Sequence, residues 1–200
     1  MLTVMMNVVL VHGILDDGGD FKKMAEFLRD LGCKVFLPSL KPSSAILGIE
    51  DLAIKLKEYI QENLEANDKF TLVGFSMGCI VSRYYLQILG GVKNCSSFHA
   101  VSGPHKGSFL AYLFFGRGAK ELRPGSVLLE KLKDTEYILE GLSLYSYRTP
   151  FDQMILPSKS SHWPIAKNHV AYAPIHSLML RDKTVLSVIE NAVKASRLYS

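Results

Sequence analysis

The chain reads as an α/β fold, a mostly parallel sheet with helices on both faces, and three observations predict this. Short apolar runs alternate with amphipathic segments, the order that crossover connections between parallel strands require. The runs are apolar at nearly every position, as strands covered on both faces must be. No internal repeat, charge block or linker interrupts the alternation, so residues 1–200 are expected to form a single domain.

The first strand is expected at Met6-Asn7-Val8-Val9-Leu10-Val11. After a Gly/Asp loop, Asp20 is expected to cap a helix burying Phe21, Met24, Phe27, Leu28 and Leu31, ended by Gly32. Lys34 to Leu37 is a second strand, stopped by Pro38. Residues 50–66 are amphipathic, with Leu52, Leu56, Tyr59, Ile60 and Leu64 on one face. Phe70 to Phe75 is a strand, and Met77 to Leu89 a helix closed by Gly90-Gly91. Further strands are expected at Ser97 to Val101, Leu142 to Tyr147 and His169 to Ala173. Asp182 is placed to cap a last helix that buries Val185, Val188, Ile189, Ala192 and Val193. The least regular stretch, residues 103–140, is where a short lid or substrate-facing insertion is expected.

Composition narrows the function. With 48% apolar residues the chain is not disordered, and a net charge of +4 is too small a footprint for nucleic acid. The three cysteines, Cys33, Cys79 and Cys95, form no C-x-x-C pair, which points to a reduced, cytoplasmic compartment. The apolar N-terminus has no basic residue before it and no small-residue cleavage site, so it reads as a buried strand and not a signal peptide. No stretch reaches the length of a membrane span. The glycines match neither nucleotide-binding pattern, and no H-E-x-x-H or clustered zinc ligands occur, so no metal is expected.

The sharpest motif is Gly74-Phe75-Ser76-Met77-Gly78 between a strand and a helix. A chain that turns from strand into helix within one residue strains the serine and lifts its hydroxyl above the sheet, and the glycines leave room for that turn. A serine hydroxyl is a weak nucleophile that needs a base, and the base needs an orienting carboxylate. On a sheet of this kind they follow in the order Ser, acid, His. His176 lies in the loop after the last expected strand and is the candidate base, with His162 in reserve. Asp152 follows the strand before it and is the candidate acid, with Asp134 and Asp182 as rivals. The amides of Ile14, after His12-Gly13, and of Met77 are the candidate donors to an oxyanion. His12 is expected to brace that loop.

Together these segments resemble the α/β-hydrolase superfamily, and within it a small bacterial-type lipase or esterase. Ser102-Gly103-Pro104-His105-Lys106-Gly107-Ser108 is similar to the T-P-H-x-G-(S/T) stretch of those lipases, with Gly103 in place of Thr. Arg123-Pro124-Gly125-Ser126 is similar to their M-x-P-G-S segment. The resemblance implies about six strands in a three-layer sandwich without a large cap domain. It further implies metal-independent, cofactor-free acyl transfer to Ser76 from an ester of a small molecule or lipid, with no nucleic-acid partner. Thioesterases and acyltransferases share the same elbow and triad. An inactive hydrolase-fold binding protein usually lacks a triad member, and none is missing here.

Phe109-Leu110-Ala111-Tyr112-Leu113-Phe114-Phe115 has the spacing of a buried helix and is expected to be core. Exposed beside the cleft, it would instead bind an acyl chain or make transient membrane-surface contact. Leu15, Phe109 and Leu113 are the candidate substrate contacts.

Overall fold

A computed structural model describes residues 5–197, so the first four residues of the apolar N-terminal run lie outside it. The strands are β1 (Asn7–Val11), β2 (Lys34–Phe36), β3 (Phe70–Phe75), β4 (Cys95–Val101), β5 (Ser143–Arg148) and β6 (Lys167–Val170). They form one sheet in the order β2-β1-β3-β4-β5-β6, with every neighbouring pair parallel. The helices are α1 (Lys22–Asp30), α2 (Ile49–Asn63), α3 (Met77–Gln87), α4 (Arg117–Glu121), α5 (Val127–Asp134) and α6 (Lys183–Arg197).

The apolar runs are continuous because each strand feeds two cores. Successive side chains of a strand point to opposite faces. Thus Val8 and Leu10 of β1 join the core under Met24 and Leu28 of α1 and Val185, Ile189 and Val193 of α6. Val9 and Val11 join the core under Leu52 and Leu56 of α2, Ile80 of α3, and Leu129 and Leu132 of α5. Each fully buried aliphatic side chain contributes about 1.5–3 kcal/mol through its removal from water. The result is three layers, with α3 buried along its whole length.

Element ends shift by one to three residues along the chain, and three differences from expectation stand out. Asp20 does not cap α1; a 3-10 turn at Gly19–Phe21 leads in, and Asp16 Oδ1 accepts the amides of Asp17 and Gly18 at 2.8 and 3.0 Å. β6 ends at Val170, before the expected stretch is complete. It is an edge strand paired on one side only, while Ala171 and Ala173, which carried the apolar signal, are buried just beyond it. The 109–115 segment is not a buried helix: it is a 3-10 turn at Phe109–Leu113, with Phe109 60%, Leu113 73% and Phe115 89% exposed. Among the described residues no helix is long and apolar enough to cross a membrane.

Candidate active site

Ile14, Ser76, Met77, Asp152 and His176 all follow the C-terminal ends of strands, where the loops of a parallel sheet gather. β3 enters α3 with Ser76 alone between them, at φ 52° and ψ −122°. A non-glycine residue at positive φ is costly and persists only where its surroundings over-determine it. Here the Ser76 amide donates to Val101 O of β4 at 2.9 Å, and the Cys79 amide donates to Ser76 O at 3.0 Å. The flanking glycines are required by contact. A Cβ on Gly74 would lie 2.8 Å from Cys79 Cα, and one on Gly78 only 2.2 Å from Val11 O.

The loop after β1 lies against this turn, since a Cβ on Gly13 would meet Ser76 Cβ at 3.1 Å. His12 is buried and braces the loop: Nδ1 donates to Gly13 O and Nε2 accepts the Leu40 amide, both at 3.0 Å. That pairing fixes a neutral ring with its proton on Nδ1. Ile14 and Met77 line the same cavity as Ser76. Met77 begins α3, so its amide has no carbonyl four residues back to bond within the helix.

The sheet brings Asp152 and His176 together across 24 residues of chain. His176 Nδ1 donates to the carboxylate of Asp152, at 2.9 Å from each oxygen. Asp152 Oδ1 also accepts the amides of Met154 and Ile155 at 2.9 Å. Burial alone pushes the Asp152 carboxyl up, but the His176 hydrogen bond and charge and these two amides outweigh it, and the net shift is downward. His176 packs its ring on Phe75, the neighbour of Ser76, with centroids 4.6 Å apart. Its Nε2 is buried and has no hydrogen-bond partner. Sequence reading missed two residues that hold these loops. Gln153 accepts the His176 amide at 3.2 Å and donates to Pro174 O at 2.8 Å. Thr149 Oγ1 donates to Ala173 O at 2.7 Å. Their only sequence signal is that both flank Asp152.

The reserve residues lie elsewhere. His162 is exposed, Asp134 ends α5 on the surface, and Asp182 receives the Thr184 amide at 2.8 Å at the start of α6. His105 stacks on Trp163, centroids 4.5 Å apart, behind the loop that follows β4. Beside them lies Arg83 of α3, 1% exposed, which donates to Leu132 O at 2.8 Å and Glu136 Oε1 at 3.0 Å. Its guanidinium lies 4.6 Å over the Trp163 ring, whose Nε1 donates to Glu136 at 2.6 Å. Burial lowers the Arg83 pKa to about 10 against the opposing pull of Glu136.

A cavity of about 40 Å³ opens beside Ser76. Its walls are apolar: Ile14, Met77 and Pro104 near the serine, Leu110, Ala111 and Phe114 from the 3-10 segment, Ala119 and Leu122 beyond, and Met154 and Ile155 behind Asp152. Leu15, Phe109 and Leu113 are exposed and do not line it, because the inward positions of the segment are 110, 111 and 114. Ser108 ties the walls together. Its Oγ donates to Met154 O at 2.8 Å and accepts the amides of Leu156 and Leu110 at 2.9 and 3.3 Å.

No curated protein sequence matches the chain. Among solved structures, the mature form of Bacillus licheniformis lipase BlEst2 superposes with a TM-score of 0.75 at 16% identity, over 94% of this chain and 92% of that one. The ydeN gene product of B. subtilis gives 0.68 at 20% identity, over 98% and 100%. Aspergillus fumigatus lipase B gives 0.72 at 13%, over 95% of this chain and 52% of its own. Identities this low speak to the fold alone. A profile of the alpha/beta hydrolase fold, however, matches residues 7–172, from the first strand to beyond the sixth, and by that measure the chain belongs to the alpha/beta hydrolase family.

Proposed function

We propose that this protein is a serine hydrolase that cleaves carboxylic ester bonds, with Ser76 as nucleophile, His176 as base and Asp152 as its orienting acid. One observation carries the reading: the buried Asp152–His176 pair leaves Nε2 without a partner, next to the strained turn that presents Ser76. With Nδ1 turned to Asp152, Nε2 is the ring nitrogen left to accept a proton. Ser76 Oγ attacks the ester carbonyl and its proton passes to Nε2. The amides of Ile14 and Met77 hold the oxyanion. Collapse breaks the bond to the alcohol, which leaves with the proton from Nε2. Water then repeats the sequence on the acyl-enzyme and releases the acid.

Lipid esters are the class this reading favours. Support comes from the exposed Phe109, Tyr112, Leu113 and Phe115, which suit transient contact with an apolar ester phase or membrane surface. The names of two of the similar structures, both lipases, agree. The test is hydrolysis of p-nitrophenyl butyrate by the wild type and by Ser76→Ala. The variant should keep its melting temperature and lose turnover on the order of 10⁴- to 10⁶-fold. A Ser76→Ala protein that retains wild-type turnover would remove the serine from the chemistry.

A further inference from the structure

We infer that the cavity beside Ser76 is an acyl pocket that accepts groups of about two to four carbons, with Phe114 setting the limit. The inference rests on the ester-hydrolase reading above and narrows its substrate class to esters, those of lipids included, whose acid part is short.

The acyl side follows from the placement of the base. The alkoxide must leave beside His176 Nε2 to collect its proton, and His176 does not line the cavity. Ile14 and Met77, whose amides would hold the carbonyl oxygen, do line it. The chain of the acid part therefore enters the cavity, and the alcohol faces the imidazole.

Size follows from volume. At roughly 10–15 Å³ per water-sized occupant, 40 Å³ holds about three. That matches the methyl or propyl tail of an acetyl or butyryl group and excludes a long chain.

The wall is fixed, so the size is a property of the fold. Phe109 N donates to Leu156 O at 2.8 Å at one end of the segment. At the other, the amides of Arg117, Gly118 and Ala119 donate to Ile46 O, Leu47 O and Ala45 O at 3.1, 3.0 and 3.3 Å. Gly116, at φ 116°, lies so close to this strip that a Cβ would come 2.3 Å from Ala45 O. Arg117 adds ion pairs to Glu121 and Glu50 at 2.9 and 3.4 Å. Between these anchors Phe114 turns inward and packs against the core shared by α2 and α3. Its ring is the largest side chain in the wall.

The experiment is a series of p-nitrophenyl esters from acetyl to dodecanoyl, each kept monomeric in solution, on the wild type, Phe114→Ala, Phe114→Leu and Ala111→Leu. In the wild type kcat/KM should rise by about fourfold per methylene while the chain finds apolar wall. It should then fall about ten- to 200-fold at the first methylene too many, at or before the hexanoyl ester. Phe114→Ala should move the maximum to longer chains and Phe114→Leu should move it part of the way. Ala111→Leu should shorten it, so one poorly folded variant does not decide the matter. A wild-type maximum at hexanoyl or beyond overturns the inference, as does a maximum that stays put in every folded variant. If no ester is cleaved at all, the hydrolase reading falls, and the pocket is then judged on Ser76→Ala by ligand-observed NMR with n-alkyl amides. Binding of butanamide with exclusion of octanamide sustains it; tighter binding of octanamide overturns it.

Discussion

Gly78→Ala separates the roles of space and chemistry at the nucleophile turn. The added Cβ would lie 2.2 Å from Val11 O and 2.6 Å from His12 O, against 3.4 Å for ordinary contact. The shortfalls are 1.2 and 0.8 Å, and neither partner is a flexible side-chain end. Val11 is the last residue of β1, in register with Gly74 of β3, so its carbonyl cannot retreat without disturbing the centre of the sheet. Overpacking of an interior costs about 1–3 kcal/mol, and two backbone clashes place this substitution at the upper limit. About 3 kcal/mol corresponds to a fall in melting temperature of about 6–12 °C for a chain of this size. Relief by displacing His12 and Gly13 would carry the Ile14 amide with them, and a displacement near 1 Å costs about 10²-fold in turnover. Gly125→Ala is the control. It has φ +72° but nothing within 4 Å of the added Cβ, so it should cost only about 1–2 kcal/mol and leave kcat unchanged. Calorimetric melting and butyrate ester turnover of both variants provide the readout. Wild-type melting and turnover in Gly78→Ala would refute the steric account of the elbow.

Asp152→Asn should leave the melting temperature nearly intact and lower kcat on the order of 10⁴-fold. The Met154 and Ile155 amides retain the Asn oxygen, so its NH₂ faces Nδ1 and forces the imidazole proton onto Nε2; unchanged turnover would reassign the acid. The same carboxyl makes stability pH-dependent. It is held below its ordinary value of 3.8 in the fold, so its contribution is complete above that pH and drains away as pH falls through the lowered value. Acid titration of unfolding free energy should show a steeper decline for the wild type than for Asp152→Asn, and parallel curves would contradict this. Glu136→Ala strips the partner from a buried guanidinium and from Trp163 Nε1. Urea unfolding should register a loss of about 3 kcal/mol, the low end for a broken buried pair because Glu136 is 21% exposed, and a loss below 1 kcal/mol would mean water replaces the carboxylate freely.

Legibility in the sequence followed burial. β3 was expected at Phe70 to Phe75 and lies there, because a strand covered on both faces must be apolar throughout and its limits are sharp. β6 was displaced because an edge strand of Lys167, Asn168, His169 and Val170 needs no apolar pattern to pair on one side. Asp152 and His176 could be matched because chain order and loop position after successive strands leave few choices. Their meeting at 2.9 Å needs the sheet. The 109–115 segment defeats reading by pattern. Seven consecutive apolar residues fit any face, and only the folded backbone, a 3-10 turn over 109–113 that becomes extended at 114, turns 110, 111 and 114 inward and leaves 109, 112, 113 and 115 to solvent. Gln153 and Thr149 act through single hydrogen bonds between loops, and nothing in residue type announces such a bond.

The Ser108 hydroxyl has a consequence for how this chain can diverge. From it, one hydrogen bond reaches Met154 O, and the Met154 amide in turn holds Asp152. A change on that side of the acyl pocket is transmitted to the acid within two residues, so selection for a new chain length there would be punished in turnover. Leu110 and Leu122 are tied to the same residue, by the Leu110 amide on Ser108 Oγ at 3.3 Å and the Ser108 amide on Leu122 O at 2.9 Å. Phe114 stands outside this chain of bonds, so descendants with new acyl preferences should carry their substitutions there first.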